Sequence, residues 1–175
     1  RRWVVTRNSD RVHNMESPAR QISLVPAPDR RQSETALAVA RGTARLLRSL
    51  GFSCISELPL PSGRRADLVA LNERGEIWIV EIKSSLIDYQ VDQKWPDYKE
   101  FCDRFFFAKP PELDPDIFPK SEGLIVADAH DAAILWMADE TPLPGARRKA
   151  LTLKLARLGA DRVHTLMDPG PGEVP

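Results

Sequence analysis

Glu76-Ile77-Trp78-Ile79-Val80-Glu81-Ile82-Lys83 is an apolar run that ends in two opposite charges. Ile77, Trp78, Ile79, Val80 and Ile82 are apolar at both parities, the pattern of a strand buried on two faces. Side chains on a strand repeat every second residue, so Glu81 and Lys83 must leave it from one face. A carboxylate and an ammonium projecting together from such a strand call for a reason. Asp67, on the segment just before, brings a second carboxylate into the question.

The preceding loops set the register of these charges. Residues 52–60 and 64–71 read as strands joined by Pro61-Ser62-Gly63, and Glu73-Arg74-Gly75 leads into the apolar run. Both loops have three residues with glycine last, the form that closes a hairpin through a left-handed residue. Pairing Leu60 with Arg64 sets Glu57 opposite Asp67, and pairing Asn72 with Glu76 sets Asp67 opposite Glu81. Directly opposite residues share a face, so Glu57, Asp67 and Glu81 are expected in a row across three strands, with Lys83 alongside. A two-residue turn at either hairpin would break the row.

Upstream, Ser33 is a good N-cap, followed by Glu34 in the first helical turn. Ala36, Leu37, Ala40, Ala44, Leu47 and Leu50 keep helical spacing up to Gly51, and Gly42 within this helix predicts close packing against the sheet. Downstream, Ser84 and Ser85 end the strand, residues 86–93 form a short helix, and 97–102 form another turn or two after Pro96. Residues 104–109 read as a buried strand, 110–120 as a proline-rich loop, and 123–127 with 132–137 as a hairpin. A last helix spans 146–158. The expected fold class is α/β, of mixed α+β character: a mixed central sheet with an antiparallel three-strand meander, flanked by helices. One domain is expected over 33–160, after a disordered lead-in at 1–32 and before a flexible tail at 161–175. The chain opens on Arg1, and Met15 is a candidate start of the native product.

The chain of 175 residues suits one domain with a real core. Lys plus Arg and Asp plus Glu both number 25, a zero formal charge that argues against coating nucleic acid through bulk charge but leaves room for a local basic groove. Cys54 and Cys102 sit in apolar surroundings without a CxxC pattern, and no signal peptide is visible, which predicts a reduced, cytoplasmic setting. His13, His130 and His164 make no zinc pattern. No apolar run nears the roughly 20 residues that span a bilayer.

Carboxylates facing one another in a partly buried site need a compensating charge, which a divalent metal supplies most directly. Oxygen ligands suit a hard ion such as Mg²⁺ (or Mn²⁺), which accepts phosphate oxygens from a substrate. A lysine beside it can orient or deprotonate a water, or stabilise charge at phosphorus. This set favours metal-assisted phosphodiester hydrolysis over acyl transfer.

The residues around these charges resemble a known family. Arg64-Arg65-Ala66-Asp67 followed by Trp78-Ile79-Val80-Glu81-Ile82-Lys83 looks like the PD-(D/E)XK nuclease signature, with Ala66 in place of the proline. Gly63 to Asp67, Ile77 to Ser85 and Asp92-Gln93-Lys94-Trp95-Pro96-Asp97-Tyr98 are more closely similar to MmcB-type DNA repair proteins. The resemblance covers about residues 33–158. It implies a restriction-endonuclease-like core and a role in DNA repair as a Mg²⁺- or Mn²⁺-dependent nuclease. Asp67 and Glu81 would bind the metal, Lys83 would be the catalytic lysine, and Glu34 matches the helix carboxylate that many superfamily members add as an outer ligand.

Blander readings stand beside these. Asp67, Glu81 and Lys83 can form a structural salt bridge at the strand ends. Glu57 can be a solvent-facing residue on an outer strand, as Pro59 hints, and Glu34 a carboxylate placed by the helix dipole. Arg64, Arg65, Ser84, Lys94 and Tyr98 are candidate nucleic-acid contacts; the arginines can also be an exposed pair. Trp95 reads as core, and the basic face of Arg147, Arg148, Lys149, Lys154 and Arg157 as solvated. The function expected is a DNA nuclease, with DNA and other repair proteins as partners. The alternatives are a non-catalytic DNA-binding or repair-adaptor module, and a small protein-interaction domain with structural carboxylates.

Overall fold

The computed structural model describes residues 33–92 and 94–168. The expected lead-in at 1–32, Met15 within it, and the last residues of the expected tail lie outside that range. Helix α1 (Glu34–Ser49) begins where Ser33 Oγ accepts a hydrogen bond from Ala36 N–H at 3.1 Å. Three strands follow, β1 (Phe52–Pro59), β2 (Arg65–Asn72) and β3 (Ile77–Ile82), then the short helix α2 (Leu86–Val91) and a 3-10 segment, Trp95–Phe101. Strands β4 (Arg104–Lys109), β5 (Gly123–Ala127) and β6 (Ala132–Trp136) and helix α3 (Gly145–Met167) follow among the described residues. The 110–120 loop carries a single 3-10 turn at Pro115–Ile117.

The strands form one sheet in the order β1-β2-β3-β4-β5-β6. β1, β2 and β3 are an antiparallel meander, β4 and β5 add in parallel, and β6 returns antiparallel. Both meander turns have the expected form. Leu60 N–H donates to Arg64 O and Asn72 N–H to Glu76 O, with Gly63 at φ 82 and Gly75 at φ 77. Positive φ costs a glycine nothing, so each loop closes over three residues and fixes the count across the hairpin. Pro59 ends β1 at the sheet edge, where its missing N–H costs no ladder bond.

Two apolar layers cover the sheet. α1 buries Val39 and Leu47 on Leu68, Ala70, Trp78, Val80, Phe106 and Ile125. The opposite face packs Ile77, Ile79, Phe105 and Phe107 against Tyr98 and Phe101 of the 3-10 segment and Leu151 and Leu155 of α3. Trp95 is part of this second layer and stacks on Phe105, with centroids 5.6 Å apart. The observed fold is the mixed α/β architecture that was expected, one mixed sheet with an antiparallel three-strand meander flanked by helices.

Two details differ from expectation. α3 runs to Met167 rather than stopping at Leu158, crossing the boundary drawn at residue 160. Nothing between Gly159 and Met167 breaks a helix, and the next proline is Pro169. Glu57, within β1, has φ 56, a left-handed value rare for a residue with a side chain. The ladder pairs Ser56 with Leu68 and Leu58 with Ala66 on either side of it. Among the described residues no helix is long and apolar enough to cross a membrane.

Candidate metal and phosphodiester site

β3 carries the site at its carboxyl end. Ile77 and Ile79 face the α3 layer, so Glu81 at the same parity enters from that side. The register that pairs Leu68 with Val80 and Val69 with Ile79 sets Asp67 opposite Glu81. Glu57 holds the matching position opposite Asp67, though its left-handed backbone interrupts the ladder there. The Asp67–Glu81 part of the row counted from loop lengths follows from this register, the left-handed backbone sets Glu57 apart from the strand alternation, and Lys83 Nζ lies 3.7 Å from Glu81 Oε1.

Burial shapes the charges in the row. Asp67 Oδ2 accepts a hydrogen bond from Ile82 N–H at 2.9 Å. Burial raises its carboxyl pKa, the Ile82 hydrogen bond opposes that, and the Glu57 charge adds to the rise. Glu81 is 7% exposed, and burial followed by the Asp67 charge pushes its carboxyl strongly upward. Its Oε2 is buried without a hydrogen-bond partner. An unsatisfied carboxylate oxygen in such a place costs on the order of 1–3 kcal/mol unless a cation or proton meets it.

A second group of acids faces this row from α2. Lys83 Nζ donates to Asp92 Oδ2 at 2.5 Å, at the C-terminal end of the helix. Burial lowers the lysine pKa, but the Asp92 hydrogen bond and the charges of Glu81, Asp92 and Asp88 together outweigh it and hold Lys83 above its usual value, as an ammonium. Asp92 is depressed in turn: burial raises it, but the Lys83 hydrogen bond, the Lys83 charge, the Lys94 N–H hydrogen bond and the Arg64 charge together outweigh that. Asp88 Oδ2 accepts from Ser84 N–H at 3.0 Å, while Ser85 Oγ caps α2 by accepting from Asp88 N–H. Asp92 and Asp88 were not singled out from the sequence. The only signal was their position in and beside the Asp92-to-Tyr98 motif, which had been read for Lys94, Trp95 and Tyr98.

The other expected residues are distributed unevenly. Arg65 pairs with Glu57, and Arg64 Nε donates to Asp97 Oδ2 at 2.8 Å. Lys94 is exposed, and Ser84 is half-buried beside Asp88. Tyr98, expected at a nucleic-acid surface, is instead a core residue whose hydroxyl donates to Arg65 O at 3.1 Å. Its ring fills the space between the hairpin and Phe105. Glu34 is exposed in the first turn of α1, a helix on the opposite face of the sheet, and is not among the charges that act on Asp67 or Glu81.

The donor set fits a hard divalent ion of one kind. Among the described residues no three acidic, histidine or cysteine side chains are grouped as a metal cage. Asp67 and Glu81 face each other, and Glu81 keeps the open oxygen. Mg²⁺ is commonly held by one or two carboxylates, with waters and substrate phosphate filling the remaining positions.

A mixed sheet with two helical layers, bearing paired carboxylates and a lysine at the end of its central strand, defines an α/β domain with a candidate hydrolytic site. The family can be stated directly. A family model described as "DNA repair protein MmcB-like" matches residues 23–170, and the chain belongs to the MmcB-like family of DNA repair proteins. A protein of unknown function from Silicibacter pomeroyi has a similar solved structure, with TM-score 0.75 and 43% identity over 82% of this chain and 99% of its own. A repair endonuclease from Pyrococcus abyssi aligns at TM-score 0.37 and 22% identity, over 59% of this chain and 50% of that one. No curated protein matches the sequence.

Proposed function

We propose that this protein acts in DNA repair by hydrolysing phosphodiester bonds with a divalent cation, Mg²⁺ or Mn²⁺. The observation that carries this reading is Glu81: buried, opposite Asp67, 3.7 Å from an ammonium, with one carboxylate oxygen left unpartnered. Asp67 and Glu81 would hold the cation. When bound, it polarises a phosphoryl oxygen and lowers the pKa of water in its shell. Lys83 is kept charged by Asp92, so its part is to donate hydrogen bonds to the attacking water or to oxygen bearing charge at phosphorus, rather than to accept a proton. Arg65 and Lys94 are exposed and supply positive charge for neighbouring backbone phosphates.

The test incubates purified protein with single-stranded, duplex and branched DNA, with and without Mg²⁺ or Mn²⁺, beside Asp67→Ala and Lys83→Ala. Divalent-dependent cleavage lost in both variants is the expected result. Cleavage that persists in both would reveal a contaminant. Binding without cleavage by the unaltered protein would overturn hydrolysis and leave a DNA-binding repair adaptor.

A further inference from the structure

Lys83 has two carboxylates within reach and sits with the one that is not on the sheet. Its Nζ is 2.5 Å from Asp92 Oδ2 and 3.7 Å from Glu81 Oε1. The lysine side chain is 3% exposed, so water does not compete effectively for its protons, and the nearer carboxylate decides where it points. Asp92 is itself held: its Oδ1 accepts from Lys94 N–H at 3.1 Å, at the point where α2 gives way to the 3-10 segment. Glu81 Oε2, across the same small space, is left without a partner.

We propose that Asp92 is a positioning residue that holds the Lys83 ammonium off Glu81 and so keeps the Glu81 carboxylate available to a divalent cation. The inference rests on the reading of Asp67 and Glu81 as the cation-binding pair. Without the Asp92 carboxylate, the nearest anion to Lys83 is Glu81, and a buried ammonium without a counter-ion is costly enough to move there. A lysine paired with Glu81 competes with a cation for the same oxygens. Asp92 thus acts through Lys83, and its own carboxylate need not touch the ion.

The experiment is a double-mutant cycle read by calorimetric Mn²⁺ binding, which requires no turnover. Asp92→Asn is expected to weaken Mn²⁺ binding by about tenfold or more, in line with coupling between neighbours in one charged network. Asp92→Glu should restore most of that loss. In a Lys83→Met background, Asp92→Asn should change the affinity little, because the competing ammonium is gone. Unchanged affinity in Asp92→Asn overturns the proposal. So does an equal loss in the Lys83→Met background, which would mean that Asp92 acts as a nearby negative charge in its own right. Absence of Mn²⁺ binding by the unaltered protein would overturn the cation-site reading itself, and this inference with it. Loss confined to the Asp92 variants would leave the site reading standing.

Discussion

Asp103 receives the guanidinium of Arg148 in a two-pronged contact, Nη1 to Oδ2 and Nη2 to Oδ1, each at 2.6 Å. Asp103 also accepts from Ile77 N–H at 2.7 Å and Leu143 N–H at 2.9 Å, so one carboxylate joins the start of β3, the approach to β4 and the N-terminal turn of α3. Arg148 further donates to Gly75 O at 2.6 Å. This is the clasp that fixes α3 against the meander. Removing Asp103 leaves a half-exposed guanidinium without its partner and the Ile77 and Leu143 N–H groups unpaired, which costs on the order of 1–3 kcal/mol. Asp103→Ala should lower the unfolding free energy by that amount, read from the midpoint and slope of equilibrium urea unfolding, far more than Glu73→Ala at an exposed turn.

The same carboxyl sets a pH dependence. Burial raises Asp103, but the hydrogen bonds from Arg148, Ile77 and Leu143 outweigh it and hold the group below its ordinary value. A depressed folded-state value means that the unfolded chain binds the proton more readily. The stabilisation is therefore complete above the unfolded carboxyl value of roughly 4 and is lost as pH falls through the lower folded value. Thermal unfolding of the unaltered protein and of Asp103→Asn should differ most near neutral pH, and the gap should narrow steadily in acid below that value.

Glu81 should trade stability for function. A buried Glu81 carboxyl beside Asp67 with an unmet oxygen destabilises the fold when it is ionised and no cation is bound. Glu81→Gln keeps the shape and removes the ionisable carboxyl, and should raise the stability of cation-free protein by roughly 1 kcal/mol at pH above about 9, where the folded carboxyl is ionised. It should also abolish any upward shift in melting temperature caused by Mg²⁺ or Mn²⁺. Scanning calorimetry with chelator and with each ion reads both effects. A Glu81→Gln protein that melts lower than its parent in chelator at that pH would contradict this account.

Gly42 should not tolerate a methyl group. A Cβ at this position would meet Asp128 O at 2.3 Å and Asp131 O at 2.8 Å, backbone atoms of the β5–β6 turn beneath α1. Alanine gains about 1 kcal/mol in intrinsic helix preference, but overpacking against backbone costs roughly 1–3 kcal/mol. Gly42→Ala should therefore destabilise, or at best leave stability level, where an exposed helical glycine would gain. Chemical denaturation of the pair of proteins gives the sign directly.

Lys94 offers a test of the proposed DNA contact. It is exposed, and its backbone N–H rather than its ammonium serves the local structure. Lys94→Ala should leave the melting temperature unchanged and weaken DNA binding, with the slope of log affinity against log salt falling by about one unit. Fluorescence anisotropy at several salt concentrations measures it.

The meander was legible because its information is local. A three-residue loop ending in a left-handed glycine sets which residues stand opposite, and the alternation of β3 then assigns their face. That reasoning aligned Asp67 with Glu81 and put Lys83 beside them. It also anticipated the tight seat of Gly42, although the surface that Gly42 meets is the β5–β6 turn. The left-handed bend at Glu57 could not be read from a residue type that seldom adopts it. Tyr98 was assigned to a DNA surface because its neighbours are charged, but a 3-10 segment turns every third residue inward, and this one lands in the core.

Sequence alone was sufficient for the strands of the meander, their register, the shared face of Asp67 and Glu81, and the resemblance that names the family. These depend on residue type, period and loop length within about 30 residues of Glu57. The partner of Lys83, the clasp between Asp103 and Arg148 at a separation of 45 residues, and the side of the sheet on which Glu34 lies were settled by the packing of α1, α2 and α3. Local preference carries no term for such contacts. They exist because the apolar faces of those helices must be buried, and the charges that travel with them are paired where the helices come to rest.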